Sequence, residues 1–530
     1  MLNGKLGLSR RRALLGGAAG AGFSAFAGLP AEVLAAAASG PKIAGYKPAN
    51  VVPAATLGAW LKKLHDFGPI RATGTAQCRA FEEFLATEFA KLGCTVLRDQ
   101  FKLTSWECDI PADCEITVRE DGGATRKLEV VAYYPFGGST RGKAPVTGKL
   151  LYGGVGEQSG EGIVAKFPAA QLAESIVVIE MPLAGGGVRG TVKYYPGSFP
   201  DPLPPMVTAP RVASQGGAGP MRALENKCRG LILCYTDVSN EAARYNYLPF
   251  SDSHRKIPAL WVGADDTRYL KSVAGKAQAT LRCDARLTPN ARADSLLAVM
   301  KGPSEEVVYM TTQTDGPNEC NENGSLGLLA SATYMARQKN RKRTFVFSLP
   351  TGHYAAGAVR DPLTGSGRPA GTTGNMAKWP QYVDKAVAQI ALEQMAAMEW
   401  ADLDGKWQAT GRPAPENWIP TPGYVELVQR LFLASAAGEN PKFSRSGIVE
   451  SGQAPGEGGA LRSKGIPGIG LMGSPHYFFR ADPKGVLDKL SPDVMHNQVS
   501  IVAKMLVLMD RLSPDQLKGK APITAKDLYG

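Results

Sequence analysis

Val307-Val308-Tyr309-Met310-Thr311-Thr312-Gln313-Thr314-Asp315 is the stretch on which the fold turns. Its first six residues are β-branched, aromatic or apolar, the composition of a buried strand. Gln313, Thr314 and Asp315 then release polar side chains into the loop Gly316–Asn323, which carries Glu319 and Glu322. A helix is expected directly after it, near Ser325–Arg337. Strand, polar loop and helix in that order form the unit of a parallel sheet with helices on its faces. The surrounding sequence repeats the unit. Strand patterns lie at Ser295–Met300, Thr344–Leu349 and Ile466–Met472, with a helical pattern near Tyr424–Ala437. The last helix, Pro492–Leu512, is amphipathic through Val494, Val499, Val502, Leu506 and Met509. Residues 291–530 are therefore expected to form a three-layer α/β domain with a mainly parallel sheet.

Upstream the texture changes twice. In residues 46–110, Thr75 can cap a helix whose apolar face is Cys78, Phe81, Leu85, Phe89 and Leu92; Gly93 ends it and a strand Thr95–Phe101 follows. Residues 111–290 instead hold short β-rich runs: Cys114–Val118, Leu128–Ala132, Lys149–Tyr152, Ser175–Met181, Gly230–Tyr235, Pro258–Val262 and Ala279–Cys283. Gly/Pro-rich loops separate them, notably 183–220. A β-dominated domain with almost no titratable cluster reads as a binding or covering module.

The chain of 530 residues carries a net charge of +12 with 20% charged and 44% hydrophobic residues. That length fits two or three domains and excludes wholesale disorder. Setting aside Lys5, Arg10, Arg11, Arg12 and Glu32 lowers the charge to +9, scattered among acids. No basic–aromatic stripe appears, so nucleic acid is not an expected partner. Ser9-Arg10-Arg11-Arg12-Ala13-Leu14-Leu15, followed by an Ala/Gly-rich apolar stretch, reads as a twin-arginine signal over residues 1–38. The expected location is the periplasm or the exterior, with no integral membrane association after signal removal. Eight cysteines without a CxxC spacing argue against a zinc ribbon. Cys108–Cys114 is the most local candidate disulfide, but the sequence leaves pairing open.

Ligands of open α/β sheets sit beyond the carboxyl ends of the strands. That rule selects Gln313 and Asp315, the loop acids Glu319 and Glu322, Thr351-Gly352-His353 after one strand, Glu393 after the segment Ala386–Leu392, and His476 after the last strand. Such oxygen and imidazole donors suit zinc or another divalent ion. Each has an ordinary reading as well. Glu319 and Glu322 can simply favour a helix start, and Glu393 can lie on the wet side of a helix Ala386–Ala397. Residues 360–424, with Trp379, Trp400, Trp407 and Trp418, read either as a covering flap with an aromatic subsite or as a surface excursion packed by its own tryptophans.

The order of these motifs resembles the M28 family of metallopeptidases in the form with an inserted protease-associated (PA) domain. Phe67–Arg71 through Gly93 is similar to the family's opening segment, residues 111–290 to the PA insertion, and Val307–Asp315 to the strand ending in His-x-Asp. Glu322-Asn323-Gly324-Ser325 resembles the Asp-Asn-x-Ser stretch, Phe345–Gly357 the strand ending in Glu-Glu, and Gly465–His476 the last strand with its histidine ligand. The resemblance implies an α/β zinc-peptidase domain hydrolysing peptide-like amides. It makes Glu322, Glu393, His476 and Gln313 the metal set, with Asp315 and Thr351 supporting. Gln313 stands in place of a histidine, while Thr351 and Gly352 stand in place of the base and a carboxylate. Loss of that base costs typically about 10²–10⁴-fold. His353 or Glu319 are the replacements at hand. The expectation is an exported hydrolase of peptides or amide-containing small molecules with one ion rather than two. The alternative is a peptidase-like binding protein without catalysis.

Overall fold

The computed structural model describes residues 42–156, 160–182, 191–194, 217–450 and 456–530. The twin-arginine segment and most of the loop 183–220 lie outside them. Alternation along Leu296–Met300 shows how the first domain is built. Leu296, Ala298 and Met300 face one apolar cluster, and Leu297 and Val299 face another. Val308 and Met310 against Val307 and Tyr309 do the same on the neighbouring strand. Successive side chains of a strand leave on opposite faces, so such a sheet must be covered twice.

The helices Ala54–Asp66, Ala76–Lys91, Gly324–Ala336, Val425–Ala436 and Pro492–Arg511 cover one face. Met376, Val383 and Leu461, from three short helices, cover the other. Thr75 caps its helix as expected, its side chain accepting from the Cys78 amide, and Cys78, Phe81, Leu85 and Phe89 are buried while Leu92 is only half-buried. The result is a three-layer α/β sandwich.

Its sheet has nine strands among the described residues. In order across the sheet they are Thr95–Glu107, Arg286–Met300, Thr344–Leu349, Val307–Thr311, Ala386–Glu393, Gly468–Gly473, Glu416–Pro420, Ser446–Glu450 and Thr191–Tyr194. The central block from Thr344–Leu349 to Gly468–Gly473 is parallel. Antiparallel pairs flank it. Parallel strands therefore occupy the part buried on both faces, and the sheet as a whole is mixed.

A second sheet, of eight strands among the described residues, is built from residues 114–283; it contains the β-rich runs read from the sequence in that zone except Leu128–Ala132, which instead links the strands Thr125–Leu128 and Ala132–Tyr133. Five short helices accompany it among the described residues. The chain leaves the first sheet along Thr95–Glu107 and returns along Arg286–Met300. Those two strands form one antiparallel ladder, with Glu107 opposite Arg286 at its far end. The returning strand runs without a break past residue 290.

Ala386–Glu393 is a strand, not a helix, and Glu393 is buried at its end. Within residues 360–380 a turn-rich stretch, 361–370, leads into the helix Gly371–Lys378, and 398–413 form a two-stranded ribbon. The four tryptophans therefore part company. Trp418 is in the core against Phe432 and Trp379 is in the opposite core. Only Trp400 and Trp407, on the ribbon, remain together. Among the described residues no helix is long and apolar enough to cross a membrane.

Candidate functional site

The carboxyl ends of the parallel strands carry an unusual density of buried polar groups. Gln313, Asp315, Glu319 and Glu322 are all fully buried. Asp315 accepts from the Thr73 hydroxyl at 2.7 Å and from the His353 and Tyr354 amides at 3.1 and 2.9 Å. It thereby fixes the turn after the strand Thr344–Leu349. Burial still pushes its carboxyl above the ordinary range. Gln313 donates to the Asn321 carbonyl at 3.0 Å.

Glu322 faces an arginine. Arg71, also fully buried, donates from Nη2 to Glu322, and its backbone bridges to Gly316 at 3.0 and 3.1 Å. Burial raises the Glu322 carboxyl to about 8 against the opposing pull of Arg71. Glu319 turns the other way. It pairs with His65 and accepts from the Val486 amide at 2.8 Å. This contact ties the helix Ala54–Asp66 to the rim and spends both carboxylate oxygens.

A second charged group lies at the ends of the next two strands. His353 pairs through Nδ1 with Glu457, and Phe250 stacks on its ring at 5.4 Å. Burial lowers the imidazole, but the Glu457 carboxylate outweighs it and lifts His353 to about 9. Glu457 resists the upward push of burial because His353 and Thr372 hold it below its usual range. Its backbone amide donates to Glu393. Burial, and then the nearby Glu457 charge, raise Glu393 to about 7. His353 keeps about a quarter of its side chain exposed, 26%, so this group is reachable. Thr351 lies deeper, its Oγ1 3.6 Å from the Cys78 sulfur.

His476 is half-buried and stacks against Trp407 at 6.4 Å. The residues after it are pinned by Asn318. That amide donates to the carbonyls of Tyr477, Phe478 and Arg480 at 3.0, 3.0 and 2.8 Å, while its oxygen accepts from the amides of Cys320 and Asn321. Among the described residues, the one group of three or more His, Cys, Asp or Glu with ligand atoms all within 4.8 Å is Cys108, Cys114 and Cys283. Glu322, Glu393 and His476 thus sit on one rim without converging at ion-binding distance. Glu393 is instead gathered with His353 and Glu457.

Arg71 and Glu457 received no role from the sequence. Arg71 sits in the opening segment, ahead of a helix, and nothing local marks it as buried. Glu457 lies in a Gly-rich loop rather than at a strand end. An arginine or glutamate without a surface pattern around it was the only available signal.

No family model matches the chain, and no curated protein matches it. Solved structures do. An aminopeptidase from Aneurinibacillus sp. strain AM-1 superposes with a TM-score of 0.56 at 14% identity, over 87% of this chain and 95% of that one. A zinc aminopeptidase from Bacillus subtilis gives 0.55 at 15% identity, over 86% and 94%. A peptidase M28 precursor from Shewanella amazonensis SB2B gives 0.57 at 14%, over 91% and 95%. The fold is that of the M28-type zinc aminopeptidases. At such identities the likeness concerns architecture, and it covers most of the chain.

Proposed function

We propose that the chain is a peptidase-like hydrolase, exported through its twin-arginine leader, that cleaves peptide or other amide bonds at His353, Glu393 and Glu457. The observation that carries this reading is the place of Glu457, whose carboxylate pairs with His353 and whose backbone amide donates to Glu393, so that an imidazole and two carboxylates meet in one charged group. Environments that push neighbouring titratable groups apart are the usual sign of an acid and a base with separate tasks. His353, raised to about 9, carries its proton at neutral pH. Glu393, raised to about 7, is part ionised there. Glu393 then accepts the proton of a water attacking the amide carbon. As the carbon–nitrogen bond breaks, His353 gives its proton to the departing nitrogen. Glu457 holds the imidazole in place, and Phe250 supplies an apolar wall.

The zinc of the structural neighbours is the natural comparison, and the residues present do not fit a zinc pair. Arg71 already holds Oε2 of Glu322 with a fixed positive charge, and a second cation beside it would be repelled. Gln313 replaces an imidazole with an amide already engaged to Asn321. Glu322, Glu393 and His476 do not bring their ligand atoms within 4.8 Å of one another as a single-ion set either.

The Arg71–Glu322 pair also favours a second reading, a peptide-binding protein on a peptidase scaffold without turnover. Chromogenic aminoacyl anilides and a dipeptide panel separate the two. The hydrolase reading expects turnover that resists chelators and falls at least ~100-fold in His353→Ala and in Glu393→Gln, with circular dichroism unchanged. Saturable peptide binding by calorimetry with no turnover of the wild type would establish the second reading instead.

A further inference from the structure

A cluster of three cysteines stands apart from the rim. Cys108 follows the strand Thr95–Glu107, Cys114 opens the strand Cys114–Glu120, and Cys283 closes the strand Ala277–Cys283. Cys114 and Cys283 are direct partners across the antiparallel ladder. The Sγ atoms of Cys108 and Cys114 are 3.4 Å apart, and all three sulfurs lie within 4.8 Å of one another. Three thiolates around a zinc-type ion at about 2.3 Å place their sulfurs about 3.8 Å apart, so the site is already near that spacing. Cys114 and Cys283 are buried and Cys108 is half-exposed. Cys108 also lines a cavity of about 390 Å³, together with Trp106, Asp109, Asp113, Tyr133 and Arg141. An ion therefore has an approach along Cys108.

We propose that Cys108, Cys114 and Cys283 bind one thiophilic d10 cation, zinc(II) or copper(I). Soft thiolate sets select such ions. A disulfide would use two sulfurs and strand the third, whereas an ion uses all three. The place gives the site a task. Glu107 and Arg286 are ladder partners, so the trio sits where the chain passes out to the eight-stranded sheet and where it comes back. A bound ion would fasten both passages together and fix one sheet against the other.

The test uses the full chain, reduced and stripped with a chelator. Zinc(II) is titrated against a chromogenic chelator and copper(I) against a copper(I)-selective one. Cobalt(II) serves as a spectroscopic probe. The proposal expects one equivalent of zinc or copper, and a thiolate-to-cobalt charge-transfer band in the wild type, a reading that needs no variant. Cys283→Ser should weaken binding by more than the ~10–100-fold that loss of an outer partner costs. Glu393→Gln should leave it unchanged, which separates this site from the rim. The relative strength of the zinc and copper arms identifies the ion. The proposal is overturned if the wild type binds no more metal than the triple Cys→Ser variant. It is equally overturned if mass spectrometry of protein purified without reductant shows a Cys108–Cys114 disulfide.

Discussion

Glu416 shows at the scale of one residue what burial does to a carboxylate in this protein. It is buried at the start of the strand Glu416–Pro420 and accepts from Gln498 at 2.8 Å and from the Ser446 and Ser444 hydroxyls. Burial outweighs those donors and raises it to about 7. The sign follows directly. Between the ordinary glutamate value of about 4.5 and about 7, the folded state keeps a proton that the unfolded chain has lost. This contribution to stability is complete below about 4.5 and disappears as pH rises through about 7. Urea unfolding at pH 5 and pH 8 should therefore show the wild type losing stability relative to Glu416→Gln at the higher pH. An unchanged difference between the two proteins would contradict it. Glu322 and Arg71 follow a different rule. Both are fully buried and Glu322 is the carboxyl that faces the fixed charge of Arg71, so removal of Glu322 strands that charge in the core. Side-chain identities such as these were legible as candidates where a strand end exposed them, as for Asp315, Glu322 and Glu393. Their partners were not. Arg71 is 251 residues from Glu322 and Glu457 is 64 from Glu393, and no local spacing encodes a pairing over that distance.

Among elements, the helix Gly324–Ala336 is the one that seats the rim. Asn323, just ahead of it, donates to the Met395 carbonyl at 2.6 Å and accepts from the Met395 amide at 2.8 Å. Gly324 then lies so close to the Leu392 carbonyl and the Thr312 hydroxyl that an added Cβ would collide with both. Its glycine is required by contact rather than by a left-handed backbone. Gly324→Ala is expected to destabilise the protein by at least about 1–3 kcal/mol, read as a lower urea midpoint, while Gly93→Ala, with open space around it, tests only backbone strain. A polar loop between two apolar runs made this helix and its strand legible within one or two residues. Gly371–Lys378 was not. Its Gly-Thr-Thr-Gly start has poor helix propensity, and tertiary contacts stabilise it instead: Asn375 donates to the Leu296 carbonyl and the Ser348 hydroxyl, both at 3.0 Å. The helix Ala54–Asp66 begins after Pro53 with no side-chain cap and no acid in its first turn, so the usual start signals are missing.

For the whole molecule, the ladder of Thr95–Glu107 with Arg286–Met300 sets the relation between the two sheets. Because Glu107 and Arg286 are neighbours, residues 108–285 are expected to be replaceable by a two-residue Asn-Gly turn. The remaining chain should melt cooperatively by circular dichroism, since its two apolar clusters are drawn from its own residues. It should also self-associate in sedimentation. Excision bares Phe101, Tyr354 and Phe479 and removes Thr191–Tyr194 from beside Ser446–Glu450, leaving an unpaired edge. Loss of the cooperative melt would show that the sandwich depends on the second sheet.

Asn318 has one further consequence. A single side-chain amide grips three carbonyls of residues 477–480 and two amides of the turn that seats Glu322, and Phe478 is partly open to solvent. A guest pressing on Phe478 would move that turn with it, like two gears on one short axle. Occupancy at the edge and ionisation at the floor would then shift together.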